Sequence, residues 1–249
     1  MSQGFTREGI SNITSPTGAF SNLKVVRPSV TTVTVTTDEL VVRDTGGNAT
    51  LLTAISETAD ITASGAGGLD TGAEASDTWY YIWIIRNSSV GTVDILLSIS
   101  ATVPTLPAGF NQKALVSAAR NNSSSDFVDF IQEGDIYDWT AWILVATGTI
   151  LSSPWLAVDI SGQIASSISN RVFGSGEDSA GLFIAVTNDN TVADSSTRDR
   201  NKMYFALGAG SMQFQFNFIL LTTDTIFWVG DGVGVSDLRI AGFMVNKLS

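Results

Sequence analysis

From Lys24 onward, apolar and polar residues alternate along much of the chain with a period of two, the spacing that sends successive side chains to opposite faces of a β-strand. In TTVTVTT, Val33 and Val35 alternate with Thr32, Thr34 and Thr36, which predicts a half-buried strand with a polar outer face. The turn Arg43-Asp-Thr-Gly-Gly-Asn48 follows, its glycine pair suited to positive φ, and an apolar run from Ala49 to Ile55 completes a hairpin signature. The run TWYYIWIIRN at 78–87 alternates little because both of its faces are large and apolar, which places it deep in a sandwich or between subunits. Ile95, Leu97, Ile99, Ala101 and Val103 predict a strand that stops at Pro104 and Pro107. KALVSAARN at 113–121 and DFVDFIQ at 126–132 read as a further strand pair around an Asn-Asn-Ser-Ser-Ser turn.

Polar residues around Gln132-Glu-Gly-Asp135 then separate two sets of strands. Beyond them, TAWILVATGTIL (140–151), WLAVDI (155–160), GLFIAVTN (181–188), KMYFALG (202–208), QFQFNFILL (213–221), TIFWVG (225–230) and LRIAGFMVNKL (238–248) are strand candidates. Phe214, Phe216 and Phe218 alternate with Gln213, Gln215 and Asn217 more cleanly than any other run. Short strands at such spacings, with turn signals between them, predict an antiparallel sandwich or jelly roll. Only Asp159 to Asn170, with Ile160, Ile164 and Ile168 at a spacing of four, predicts a short helix. The expected fold is all-β: two antiparallel β-sandwich or jelly-roll-like domains, 24–132 and 133–249, preceded by an extended N-terminal arm over 1–23.

Composition narrows the chemistry. With no His and no Cys, the chain has no Ser-His-Asp or Cys-His nucleophile, no zinc site of the usual N/S type, no haem or iron–sulfur ligation and no disulfide. Charged residues are only 15% of the chain, replaced by Ser, Thr, Asn and 23 Gly, and the net charge is -11. Such an acidic body repels phosphate, so nucleic acid is not an expected partner. No run approaches the roughly 18 apolar residues of a membrane span, so no membrane partner is expected either. Residues 1–20 lack a charged start followed by an apolar block, which leads to the expectation of a protein made in a reducing cytoplasm. Residues 1–37 hold Arg7, Lys24 and Arg27 against Glu8 alone, so the acidic excess belongs to the remainder. Phe5, Ile10, Ile13 and Phe20 are apolar anchors in a leader too poor in hydrophobic residues to fold alone.

Paired carboxylates are the remaining route to catalysis. Glu133, Asp135 and Asp138, and separately Glu177 and Asp178, have the residue types of an acid and base pair for glycoside cleavage, but turns of this kind use Asp and Glu to cap or solvate the backbone. Asn188 to Asp194 offers hard oxygen ligands for calcium without the Gly and terminal Glu of an EF-hand. Gly230-Asp-Gly232 is a turn, because Val235 stands where a dinucleotide fingerprint needs its third Gly. GAGGLDTG at 65–72 lacks the Lys-Ser/Thr ending of a phosphate loop and reads as a surface connection. Trp79, Tyr80, Tyr81 and Trp83 are either core or a sugar-stacking platform. No catalytic residue, cofactor or metal is assigned.

Three strings carry a resemblance: VTVTTDELVVRDTGGNATLLT, ADITASGAGGLDTGAEASDTWYYIWIIRN and LLSISATVPTLPAGFNQKALVSAARNNSSSDFV. Over residues 30–130 they resemble a β-rich module of tailed-bacteriophage virion proteins, described as head decoration, head fibre or tail fibre components. VDISGQIASSISNRVFGSG and the late strands ending in LRIAGFMVNKL look like the small β-sandwich often joined to it. The resemblance implies a non-enzymatic assembly protein, commonly a homotrimer, located in the virion. The chain has no heptad, collagen-like or β-helix repeat, which favours a compact capsid decoration or cement protein over a long tail fibre. The expected partners are then further copies of the chain and the major capsid protein. Phe5, Arg7, Phe20, Lys24 and Arg27 form the expected capsid-binding arm, and Trp79, Tyr81 and Trp83 the expected subunit-interface or glycan aromatics. The alternative is a tail-fibre or receptor-binding module that recognises host surface carbohydrate.

Overall fold

The computed structural model describes residues 17–148, 155–179, 183–188, 202–206, 212–230 and 235–246. Among them every regular element is a strand and none is a helix. The first half holds β1 (Phe20–Ser21), β2 (Lys24–Val26), β3 (Thr32–Arg43), β4 (Ala49–Asp60), β5 (Trp79–Arg86), β6 (Val93–Ser98), β7 (Gln112–Arg120) and β8 (Phe130–Glu133). The second holds β9 (Ile136–Gly148), β10 (Leu156–Asp159), β11 (Ser169–Asp178), β12 (Phe183–Thr187), β13 (Lys202–Ala206), β14 (Met212–Ile219), β15 (Thr225–Gly230) and β16 (Ser236–Val245).

β3 and β4 form the hairpin that the alternation predicts, with Val33 and Val35 fully buried. Asp44 closes its turn: the carboxylate accepts bonds from the Asn48 backbone N–H and side-chain amide, both at 2.8 Å, and Gly47 takes a φ of 86°. The other edge of β3 is shared in succession by β2, β1 and the end of β7. The sheet continues through β7 to β5 and β6. The Gly-rich segment after β4 runs over the surface, as expected, but is also tied into the sheet. Asp60 N donates to Gly67 O at 2.9 Å, Gly67 N to Ile95 O at 2.8 Å and Leu97 N to Gly68 O at 2.8 Å, so the segment bridges the end of β4 to β6. Glycine is required at position 68, where a Cβ would stand 2.4 Å from the Ala63 carbonyl group.

The second half is a jelly roll. Its strands fall into two four-stranded sets, β9-β16-β11-β14 and β10-β15-β12-β13, all neighbours antiparallel. Between β9 and β16 the chain changes set at every step except from β12 to β13, the winding of two interlocked Greek keys. Val172, Gly174 and Gly176 of β11 lie opposite Phe218, Phe216 and Phe214 of β14, and this face packs inward.

The two halves are joined in one sheet. β8 pairs β2 on one side and β9 on the other, giving twelve strands in a single hydrogen-bonded sheet, so the division expected after Gln132 falls within the β8–β9 hairpin. Buried residues of both halves form one cluster, and Trp79 of β5 meets Trp139, Phe243 and Tyr137 at centroid distances of 5.9, 6.0 and 6.5 Å. Of the arm expected over 1–23, residues 1–16 lie outside the described residues, and the remainder is joined to the body: Gly18 N donates to Val41 O and Leu23 is buried. Further differences have local causes. The strand expected to reach Val103 ends at Ser98, because the Ser100 hydroxyl accepts from the backbone of Thr102 and Val103 and turns the chain. β8 does not form a ladder with β7; the flanks of that turn are joined by the bridge Asn121 to Phe127, with Val128 N donating to Arg120 O and Asn122 N to Asp126 O, both at 2.8 Å. In place of the helix over 159–170 stand two separate helical turns, Ile164 N to Ile160 O and Ser169 N to Ala165 O, which bury Ile160, Ile164 and Ile168.

Candidate functional site

Of the basic arm residues, Lys24 and Arg27 are turned to the chain itself. Lys24 Nζ lies 3.2 Å from Glu133 and Arg27 Nε 3.2 Å from Asp129, pairs that fix β2 against β8. Burial raises the Asp129 carboxyl, but hydrogen bonds from Arg27, Thr140 and the Phe130 backbone, together with the Arg27 charge, outweigh it and hold the group below its ordinary value. Phe20 is half-buried against the core and lines a shallow recess of ≈ 380 Å³ with Leu23, Lys24 and Glu133. Phe5 and Arg7 lie outside the described residues.

The aromatic strand β5 is core. Trp83 is 1% exposed, its indole N–H donating to Ser100 O at 3.2 Å, and the Lys113 ammonium lies 4.8 Å over its ring. Tyr81 is 8% exposed and Tyr80 is buried. Trp79 is partly exposed, but its indole N–H donates to Ser161 O at 2.9 Å and its ring packs on the second half. Tyr81 and Trp83 are therefore not presented to a partner or a sugar, and Trp79 is committed to the joint between the halves. The reason is that β5 is covered on both edges, by β6 and β7, and on both faces.

Two of the acidic groups are held by basic side chains. Glu133 is bound to Lys24, and Glu177 accepts from Arg239 Nη1 at 2.8 Å. Asp135 is exposed in the β8–β9 turn, its carbonyl accepting from Val245 N. Asp138 is half-buried, and burial first, then the Glu133 charge, raises its carboxyl above the ordinary value. The side chain of Asp178, residues 189–194 of the calcium candidate and residues 231–232 of the Gly-Asp-Gly turn lie outside the described residues. Among the described residues no three His, Cys, Asp or Glu side chains come together as a metal site, and no helix is long and apolar enough to cross a membrane.

What the structure brings together instead lies on the outer face of β9-β16-β11-β14. Asp138, Trp142, Phe173 and Gln215 surround a recess of ≈ 250 Å³ floored by Gly174 and Ala241. Trp142 is 43% exposed. The recess sits at two register shifts, between Ile240 and Gly242 of β16 and between Phe173 and Gly174 of β11, where the pleat is broken and four strands contribute to one spot. The sequence signal for it was faint. Trp142 and Leu144 alternate with Ile143 and Val145 in β9, but all four are apolar, so their pattern does not say which face is wet.

No protein-family model matches the chain, and no curated protein and no solved structure is significantly similar to it.

Proposed function

We propose that the chain is a non-enzymatic structural protein of a tailed-bacteriophage virion, a homotrimer that decorates the outer capsid shell and stabilises it. The observation that carries this reading is the construction: twelve strands in one sheet, a four-stranded sheet folded against its jelly-roll end, and one core throughout. A close-packed interior of this kind has low compressibility and transmits strain, which suits a part that bears load. The resemblance of residues 30–130 to virion modules points the same way.

In this reading the chain is made in the bacterial cytoplasm and displayed on the capsid surface, with the major capsid protein as its partner. Binding only to the assembled shell stabilises that state by mass action. With Lys24 and Arg27 engaged by Glu133 and Asp129, contact through the arm is assigned to Phe5 and Arg7. Closed threefold symmetry limits association and covers exposed apolar residues such as Leu156 and Leu221. The test is copy number per purified particle together with solution mass. Hundreds of copies and a mass three times 26.3 kDa are expected; a monomer, or absence from particles, overturns the reading. Deleting residues 2–16, which spares β1, should abolish capsid binding while leaving the fold intact.

A second reading, a tail-fibre or receptor-binding module recognising host surface carbohydrate, is favoured by the exposed indole of Trp142. A few to a few tens of copies per particle would select it.

A further inference from the structure

The outer face of β9-β16-β11-β14 is largely polar, with Gln213, Gln215 and Asn217 on β14 and the Arg239–Glu177 pair across β16 and β11. The Trp142 recess interrupts it with three features. An indole in contact with solvent and the half-buried ring of Phe173 offer flat apolar surface. Its floor is made by the small residues Gly174 and Ala241, at the place where the register shifts of β11 and β16 break the pleat. Asp138 and Gln215 stand at the rim, and neither side chain forms a hydrogen bond among the described residues.

These features select a ligand class. The carboxylate of Asp138 accepts, and the amide of Gln215 both donates and accepts. A polyol with an apolar C–H face satisfies both and stacks on the indole, whereas an anion meets Asp138 and the nearby Glu133. A cation would use the carboxylate but face the amide donor without a partner. We infer that this recess is a subsite for one neutral sugar ring, a hexose or N-acetylhexosamine, stacked on Trp142 and held through its hydroxyls by Asp138 and Gln215. The assignment is independent of where in a particle the protein sits.

The test is saturation-transfer NMR on the full chain with methyl glucoside, methyl galactoside, methyl mannoside and N-acetylglucosamine, and with tetramethylammonium as the cationic probe. At least one sugar should receive saturation through its ring C–H protons. Trp142→Ala should abolish the signal, Asp138→Asn should weaken binding roughly tenfold, the worth of one charge-assisted hydrogen bond, and Leu221→Ala, outside the recess, should change nothing. Because Trp142 is exposed, its variant should keep the wild-type melting temperature, which separates loss of binding from loss of fold. No signal from any sugar, a signal from tetramethylammonium alone, or sugar signals that survive in Trp142→Ala would each overturn the assignment.

Discussion

Single side chains in this fold pull stability in opposite directions. Tyr137 is fully buried between Phe130 and Phe243, stacked at centroid distances of 4.6 and 4.2 Å, yet its hydroxyl finds no hydrogen-bond partner among the described residues. A buried unpaired hydroxyl costs free energy while the ring beneath it contributes, so Tyr137→Phe should leave the melting temperature unchanged or raise stability by about 1 kcal/mol, and Tyr137→Ala should cost about 3–5 kcal/mol. Denaturant titration of the two variants checks both signs. Glu57 gives the pH counterpart. Burial, and then the Asp94 charge, raises its carboxyl above the ordinary value of 4.5. The folded state therefore keeps a proton that the unfolded chain has already released, and in that window stability falls as pH rises. Glu57→Gln should be more stable than wild type at neutral pH, with the difference shrinking as pH drops through the folded value towards 4.5. Asp129, held low by Arg27, works the other way: its contribution is complete above the ordinary value and disappears on acidification.

At the scale of elements, β11 shows what the sequence displayed and what it concealed. The strands built on alternation, such as β3 with Val33 and Val35 or β14 with its three Phe residues, were legible because one face of each is buried and the other is not. β11 reads SNRVFGSGED, a Ser/Gly run with the look of a loop, and it is a central strand between β14 and β16. Its glycines are matched to aromatic rings on the neighbouring strand: a Cβ at Gly176 would lie 2.4 Å from the Phe214 ring, and one at Gly174 2.8 Å from Phe216. Such a match between strands far apart in sequence is a tertiary fact with no local sequence signature. Gly176→Ala should cost about 1–3 kcal/mol by overpacking, and pairing it with Phe214→Leu should return part of that loss if the ring is the obstacle. Urea unfolding of the single and double variants measures the coupling. The candidate site was hidden for the same reason. Trp142, Phe173 and Gln215 are far apart in sequence and meet only where two register shifts coincide, while β5, whose aromatic residues stand out in the sequence, is enclosed by β6 and β7.

For the whole molecule the decisive feature is the joint between the halves. β2, β8 and β9 carry the sheet across it, and Trp79 seals it against Trp139, Tyr137 and Phe243 while its indole N–H bonds Ser161. Arg120 adds a bond to the Gly162 carbonyl and a pair with Asp77 on the same side. With a shared core there is no natural plane along which one half can unfold and leave the other wet but intact. Calorimetry should therefore show one transition with a calorimetric to van't Hoff enthalpy ratio near unity for each cooperative unit. Trp79→Ala removes the seal, and the expected result is a transition that broadens or splits as the halves uncouple, with a loss of about 3 kcal/mol or more. Two resolved transitions in the wild type would instead make the halves independent despite their continuous sheet. The same scan repeated over a hundredfold range of concentration tests assembly, since a trimer that dissociates on unfolding melts at higher temperature when concentrated and a monomer does not. A concentration-dependent single transition is the outcome that joins the construction of the chain to the proposed role, because only then does the cooperative unit extend beyond one copy.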